Sequence, residues 1–332
     1  MEKKQQPQEK FKTMIGGQAL IEGIMMRGPK KDAIVCRQNG ELKLDVRDRK
    51  VAAKGSVWTW PVLRGVYGFL DAQVNGVKAL MHSADLSPEE EEQPSKLDQW
   101  LEKKLGNEKF QQLIIGCAVL MGLVMTIGLF FVLPMVISSF LDGWITNTLL
   151  LHLIEGLIRI VIFMAYIMLS ARMKEMKRVF AYHGAEHKTI RCYEAGLPLT
   201  VENVRGMTRL HPRCGTSFLL VIMILSILLF SVASTGLLYA VPALDAMRES
   251  LPVAYKAIMI AFKLLLLPLV VGIGFEINRW VGRHDNWFTR ILTAPGMWFQ
   301  NFTTNEPDDS MIEVGIAAVQ AVLPEEEGQD AW

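Results

Sequence analysis

Cysteine is scarce in this chain, and what there is of it is scattered. Four cysteines in 332 residues, one of them (Cys117) inside a long apolar run and the others (Cys36, Cys192, Cys214) far apart, exclude the disulfide framework of a small secreted domain. Neither sign of charge is in excess. Lys and Arg number 35 against 34 Asp and Glu, a net charge of +1, which gives no electrostatic case for a nucleic-acid partner. The opening MEKKQQPQEKFK is charged and polar, so no signal peptide is expected. No internal repeat is visible, which argues against a transporter built from inverted repeats.

What the chain has in quantity is apolar sequence. Hydrophobic residues make up 51% of it, the mean hydropathy is +0.24, and the excess is gathered in four runs near 113–141, 144–169, 217–241 and 253–277. A bilayer needs about 20 mostly apolar residues per crossing helix, and each run supplies them. Pro134 predicts a kink near the far end of the first, tolerable where neighbouring helices satisfy the freed backbone. Lys and Arg crowd the N-terminal region and the stretch 171–216, whereas the connections near 142–143 and 242–252 hold only Arg248. The positive-inside rule then places both termini and the 171–217 segment in the cytoplasm. The expected fold class is a mainly α, multi-pass cell-membrane protein: four transmembrane helices with a small cytoplasmic α+β module at the N-terminus, and the lipid bilayer as partner.

The chain divides on this basis into a hairpin-and-helix module (1–84), an acidic linker (85–110), a first transmembrane hairpin (111–170), a cytoplasmic metal-motif segment (171–217), a second transmembrane hairpin (218–278) and a cytoplasmic tail (279–332). In the module, Ile34–Arg37 and Leu42–Val46 flank Asn39-Gly40, the residue pair suited to a two-residue hairpin turn. A helix is expected from about 64 to 82. Val66, Phe69, Leu70, Val74, Val77, Leu80 and Met81 share one side of it, a stripe that suits packing against the protein's own body better than a membrane surface. The linker centres on Glu89–Glu92 between Pro88 and Pro94, a solvated composition. In the tail, Thr303-Thr304-Asn305 suits a helix cap, followed by Pro307 and by Asp308–Asp309 in the first turn. The tail is expected to fold back on the N-terminal module, with its last ten residues frayed.

Chemistry concentrates at His183-Gly184-Ala185-Glu186-His187. Two histidines four apart share one helix face and can reach a single ion. The glutamate beside them could hold a metal-bound water, the order of residues being that of the H-x-x-E-H metallopeptidases. With only 6 histidines in the chain, the pattern arises by chance in roughly one such sequence in a hundred. Gly184 and Ala185 leave room for a substrate or a second element. His211 and Cys214 follow, two residue types that suit zinc, so the candidate ligands are His183, His187 and His211, with Cys214 a fourth; Glu194 or Glu202 could replace one of them. Three protein ligands would leave an open, catalytic position, and four would make a closed structural clamp. Arg191, Arg205, Arg209 and Arg213 surround the motif, where they serve topology or bind an anion. Within the apolar runs, His152, Glu155, Arg159 and Lys263 are costly in lipid and call for partners; an inter-helix pair at Glu155 is favoured over a transport path.

The run Met14–Pro29 resembles the opening signature of the YqhQ-like bacterial membrane family, as do Tyr182–Lys188, His211–Phe218 and Thr303–Asp309, in order along nearly the whole chain. The resemblance implies an integral membrane protein of unknown function whose family is usually labelled a predicted metal-dependent enzyme. Asn305 stands where similar proteins would carry an arginine. Glu22, an acidic residue amid Gly and Met, could complete the site or pair with Arg27. The leading expectation is a cytoplasm-facing zinc hydrolase using a metal-bound water, with His183, His187 and His211 as ligands and Glu186 as general base. Its substrate would be an unknown molecule such as a membrane protein or a lipid. The alternatives are a non-enzymatic assembly or scaffold protein with a structural metal and, third, a transporter using Glu155 and Lys263.

Overall fold

A computed structural model describes residues 9–49, 52–53, 55–86, 107–141, 143–145, 147–326 and 328–331. Residues 87–106 of the expected acidic linker therefore lie outside the described residues. The protein is mainly helical, with one four-stranded antiparallel sheet near the N-terminus and four helices long and apolar enough to cross a membrane. It forms two compact units. The first takes in Met1–Ser87, Tyr166–Leu225 and Leu267–Trp332, and the second Pro88–Ala165 and Ser226–Leu266.

The sheet of the first unit is a meander of β1 (Gly16–Leu20), β2 (Gly23–Arg27), β3 (Lys31–Gln38) and β4 (Glu41–Asp48), each strand antiparallel to the next. β3 and β4 are the expected hairpin. Asn39 and Gly40, at φ 51° and 85°, form its turn in the left-handed region that Asn and Gly tolerate. β1 and β2 form a second hairpin, turned at Ile21–Glu22, that the sequence does not announce. Gly, Gln and Met carry little strand preference, and burial holds β2 instead. Its alternate side chains enter two cores. Ile24 and Met26 join Ala33 and Val35 against one set of helices, while Met25 joins Leu20, Ile34 and Cys36 against the other.

On the second of these faces lies α1 (Leu63–Leu86), whose buried residues are Gly65, Gly76, Ala79 and Ser83. The stripe expected to pack inward does not. Phe69, Leu70, Val74, Val77, Leu80 and Met81 all point outward, Leu70 being 54% exposed. Small residues let α1 approach the sheet closely, and that approach displaces the large apolar face to the outside. On the other sheet face lie α5 (Lys174–Glu194) and α11 (Asp309–Val322). From α11 the side chains of Met311, Val314, Val319 and Val322 enter the core, each worth about 1.5–3 kcal/mol when fully buried. The tail thus folds back on the N-terminal module as expected. Its cap lies later than the sequence suggests: Asp308, not Thr303–Asn305, accepts the N–H of Met311, at 3.0 Å. The described end of the chain is pinned rather than frayed. Met14 N–H donates to the Asp330 carbonyl at 2.6 Å, and the Thr13 hydroxyl donates to the Asp330 carboxylate at 2.5 Å.

Between α1 and the loop that follows α6 lie α2 (Asn107–Ile127), α3 (Leu133–Ser139), α4 (Thr148–Ser170) and α6 (Val201–Arg205) itself. After α6 come α7 (Gly215–Ala240), α8 (Pro242–Ser250), α9 (Pro252–Arg283) and α10 (Trp287–Thr303). The candidate spans are Leu113–Ser139, Thr148–Ser170, Phe218–Ala240 and Pro252–Arg283, close to the expected runs except that the last continues past 277. The first exposes Leu120, Met121 and Val124 among others, a surface suited to hydrocarbon rather than water.

In the second unit, Pro134 brings no N–H to the Phe130 carbonyl four residues back, and the helix widens into a π-helical turn over Gly128–Val132. Arg159 Nε donates to that carbonyl at 2.7 Å. The same guanidinium reaches Glu155 at 2.9 Å, and Lys263 donates to both Glu155 oxygens at 2.6 and 2.7 Å. Glu155, Arg159 and Lys263 therefore satisfy one another, while His152 keeps a buried Nδ1 without a hydrogen-bond partner.

Candidate metal centre

α5 is buried all round from Phe180 to Ile190, so the histidine motif lies in the protein interior. Gly184 is there for a close approach. The loop after α10 crosses the helix at this point, Asn305 N–H donating to the Phe180 carbonyl at 2.7 Å, and a Cβ on residue 184 would collide with the Asn305 carbonyl. The space between the two histidines belongs to a second chain segment.

His183 and His187 stand one turn apart with ring centroids at 4.3 Å. Cys214, in the turn that leads into α7, completes a group whose ligand atoms all lie within 4.8 Å of one another. His183 Nδ1 is 2.8 Å from the Thr303 carbonyl and His187 Nδ1 is 2.6 Å from the Arg209 carbonyl. A carbonyl only accepts, so both Nδ1 atoms carry a proton and both Nε2 atoms turn towards the group, the arrangement that orients metal-ligating histidines. His183 Nε2 is 3.2 Å from Cys214 Sγ, while His187 Nε2 is buried without a hydrogen-bond partner. Two imidazoles, one thiolate and an orphaned buried lone pair fit a divalent ion of the zinc type.

Electrostatics agree with that donor set. Burial alone would raise the Cys214 thiol, but His187 and His183 outweigh it and hold the thiol well below its ordinary value. Burial works against a charged His183, yet the adjoining Cys214 raises it to about 9. A cation held on the same atoms would compete with the proton there. Glu186 sits beside them with Oε1 accepting the Gly17 N–H at 2.9 Å and Oε2 buried without a partner. Burial raises its pKa. A Cβ at residue 17 would press on both Glu186 and the Met25 carbonyl, so a glycine there lets β1 come this close.

The structure thus gathers His183, His187 and Cys214 with Glu186 alongside, and keeps His211 next to them, its ring 5.6 Å from that of His187, but with its Nε2 turned to Glu194. His211 Nε2 is 3.2 Å from Glu194, its backbone N–H donates to Gln300 at 2.7 Å, and burial lowers its pKa to about 4. Glu194 is fully buried. Burial would raise it, but His211 and Arg213 hold it below its ordinary value, and it also accepts the Thr13 N–H at 2.9 Å. Glu202 is exposed. Glu22 pairs with Arg178 and Tyr182, and Arg27 with Asp32 and Asp71, so the expected Glu22–Arg27 pair does not form.

The four arginines around the motif serve structure. Arg191 donates to the Leu210 carbonyl, Arg205 pairs with Asp309, Arg209 holds the Thr304 carbonyl and Arg213 holds Glu194. A cavity of about 890 Å³ opens beside the centre, with His183, Glu186 and Cys214 in its wall. Sequence reasoning passed over two arginines that line it, Arg49 and Arg279. Neither belongs to a motif, and no local pattern marks them.

The family model described as "Protein of unknown function (DUF1385)" matches residues 60–325. The chain is 31% identical over 315 residues to the "Uncharacterized protein YqhQ" of Bacillus subtilis (strain 168), an alignment that spans 93% of this chain and 92% of that one. No solved structure matches the chain.

Proposed function

The chain belongs to the DUF1385 family of proteins of unknown function, and we propose that it is a membrane-embedded, cytoplasm-facing hydrolase that depends on a divalent metal, zinc first. The observation that carries this is the Glu186 carboxylate, buried beside the three candidate ligands with one oxygen held by Gly17 and the other unpartnered. A structural clamp has no use for such a group. A hydrolase needs a base with a free lone pair next to its electrophile.

His183, His187 and Cys214 would hold the ion. When bound, it would supply Lewis acidity at the cavity wall, polarising an oxygen of the substrate or acidifying a water. The Thr303 and Arg209 carbonyls keep each imidazole in one tautomer and one orientation. Glu186 takes a proton at Oε2 and can return it to the leaving group, a role favoured by the upward shift that burial gives it. Three converging protein donors, facing a cavity, suit an open site rather than a four-ligand clamp. Four apolar spans and the distribution of Lys and Arg support the membrane and the orientation.

The test uses purified full-length protein and complementation of a host lacking it. Glu186→Gln is expected to keep stoichiometric metal and a normal melting temperature while losing complementation. Replacing both His183 and His187 with alanine is expected to remove the metal. The scaffold alternative expects Glu186→Gln to be silent and Cys214→Ala to destabilise the fold. Full complementation by metal-loaded Glu186→Gln would remove the hydrolase reading.

A further inference from the structure

The cavity beside the centre has two chemically different walls. One is apolar and is built from the ends of two candidate spans: Phe218, Leu219 and Ile222 of α7, with Val271 and Phe275 of α9. The other carries arginines. Arg64 is occupied by Glu276. Arg49 is not fully occupied: it donates once, to the Gly28 carbonyl at 3.1 Å, and its Nε is buried without a partner. Neighbouring Arg27 already has Asp32 and Asp71, and its charge adds to that of Arg49. Arg279 forms no ion pair among the described residues. Arg49 also lines a smaller chamber of about 230 Å³ that contains Glu186, His187 and Cys214, so the unspent guanidinium stands next to the reactive groups.

A ligand for these walls needs an anion at one end and hydrocarbon at the other. α1 supplies a second, independent observation. It borders the cavity through Tyr67, Gly68 and Asp71, and on the side opposite its buried Gly65, Gly76 and Ala79 it presents Leu70, Val74 and Val77, each about half exposed. A helix with one protein-bound side of small residues and one outward apolar side suits the headgroup region of a bilayer. Such a helix at the rim puts the cavity within reach of lipid.

We propose that this site takes an anionic, phosphate-bearing membrane lipid, its headgroup on Arg49 and Arg279 and its hydrocarbon along α7 and α9. The proposal rests on the enzyme reading for the use of the site, and on the cavity alone for binding. A volume of about 890 Å³ suits a ligand of drug size. It therefore holds a headgroup and the start of the chains, the rest remaining in the bilayer.

The test is equilibrium binding of tail-labelled phosphatidylglycerol to the full-length protein in neutral-detergent mixed micelles, read by fluorescence anisotropy. Unlabelled phosphatidylglycerol should compete well, phosphatidylcholine poorly and millimolar inorganic phosphate not at all. Arg49→Gln and Arg279→Gln, each checked for an unchanged melting temperature, should weaken binding about tenfold or more. If Arg49→Gln does not fold, Arg279→Gln alone carries the comparison. Equal competition by phosphatidylcholine, displacement by inorganic phosphate, or unchanged affinity in the folded arginine variants overturns the proposal. The His183→Ala/His187→Ala protein separates the two readings. Lipid binding without metal leaves the lipid site standing whatever becomes of the hydrolase, and metal binding without lipid selectivity removes the lipid and leaves the hydrolase.

Discussion

The backbone N–H of Gly17 donates to Glu186 Oε1 at 2.9 Å, joining residues 169 positions apart in the chain. The bond does two things at once. It seats β1 on the histidine-bearing helix, and it fixes the carboxylate so that only Oε2 is left for other work. Gly17→Ala is expected to push the strand away from Glu186. Overpacking of this kind costs about 1–3 kcal/mol, so the melting temperature should fall while metal content stays near wild type and complementation drops. An unchanged melting temperature with full complementation would show that the contact is dispensable.

Glu194 and Arg213 are both buried, whereas Arg205 and Asp309 are both more than half exposed. Breaking the first pair by Glu194→Gln leaves the buried Arg213 guanidinium with only its longer contact to Glu9, at 3.6 Å, a loss approaching the roughly 3–5 kcal/mol of a broken buried pair. Breaking the second by Asp309→Asn should cost about 0–1 kcal/mol, since water already solvates both partners. Thermal or denaturant unfolding of the two variants side by side checks the ordering, and equal effects would count against it.

His211 gives the fold an acid limit. Its pKa lies at about 4 in the folded protein against 6.5 ordinarily, because burial penalises the charged ring. Above pH 6.5 neither folded nor unfolded chain binds this proton, and the full stability is present. As pH falls towards 4 the unfolded chain takes the proton first, so stability is lost across that window. Melting temperatures between pH 7 and pH 4 should decline less steeply for His211→Gln than for wild type. Parallel curves would assign the acid sensitivity to other groups.

Orientation in the membrane can be read with cysteines placed at exposed positions. Native Cys192 is unsuited to this because it is buried. Glu202→Cys in α6 should resist an impermeant maleimide in intact cells and react after permeabilisation. Glu249→Cys in α8 should react in both conditions. The reverse pattern would invert the topology that the Lys and Arg distribution supports.

The four candidate spans were legible because a bilayer demands long runs of apolar residues, and the helices found there have that length and composition. His183, Glu186 and His187 were legible because helical spacing alone puts them on one side. Cys214 was read only as a fourth ligand, since its place beside His183 depends on the path of a turn from another part of the chain. For His211 the sequence gives only a residue type that suits zinc, whereas its hydrogen-bond partners Glu194 and Gln300 are set by the fold. β1 and β2 left no trace because their stability comes from the helices on either face rather than from strand-forming side chains. The stripe on α1 was correctly located and wrongly turned. Periodicity finds an apolar face, yet it does not say that Gly65, Gly76 and Ala79 permit a closer approach on the opposite one.

The Thr303 carbonyl that orients His183 lies near the end of the chain, 120 residues beyond it. A ribosome that has already delivered every span has still not delivered the group that sets this imidazole. During synthesis the histidines, Cys214 and Glu186 exist together without their final alignment, and α11 has yet to cover them. The alignment of His183 thus waits on a segment made long after the residue it aligns. A chain cut short anywhere before Thr303 would carry both histidines, Cys214 and Glu186 without the carbonyl that holds His183 in one tautomer.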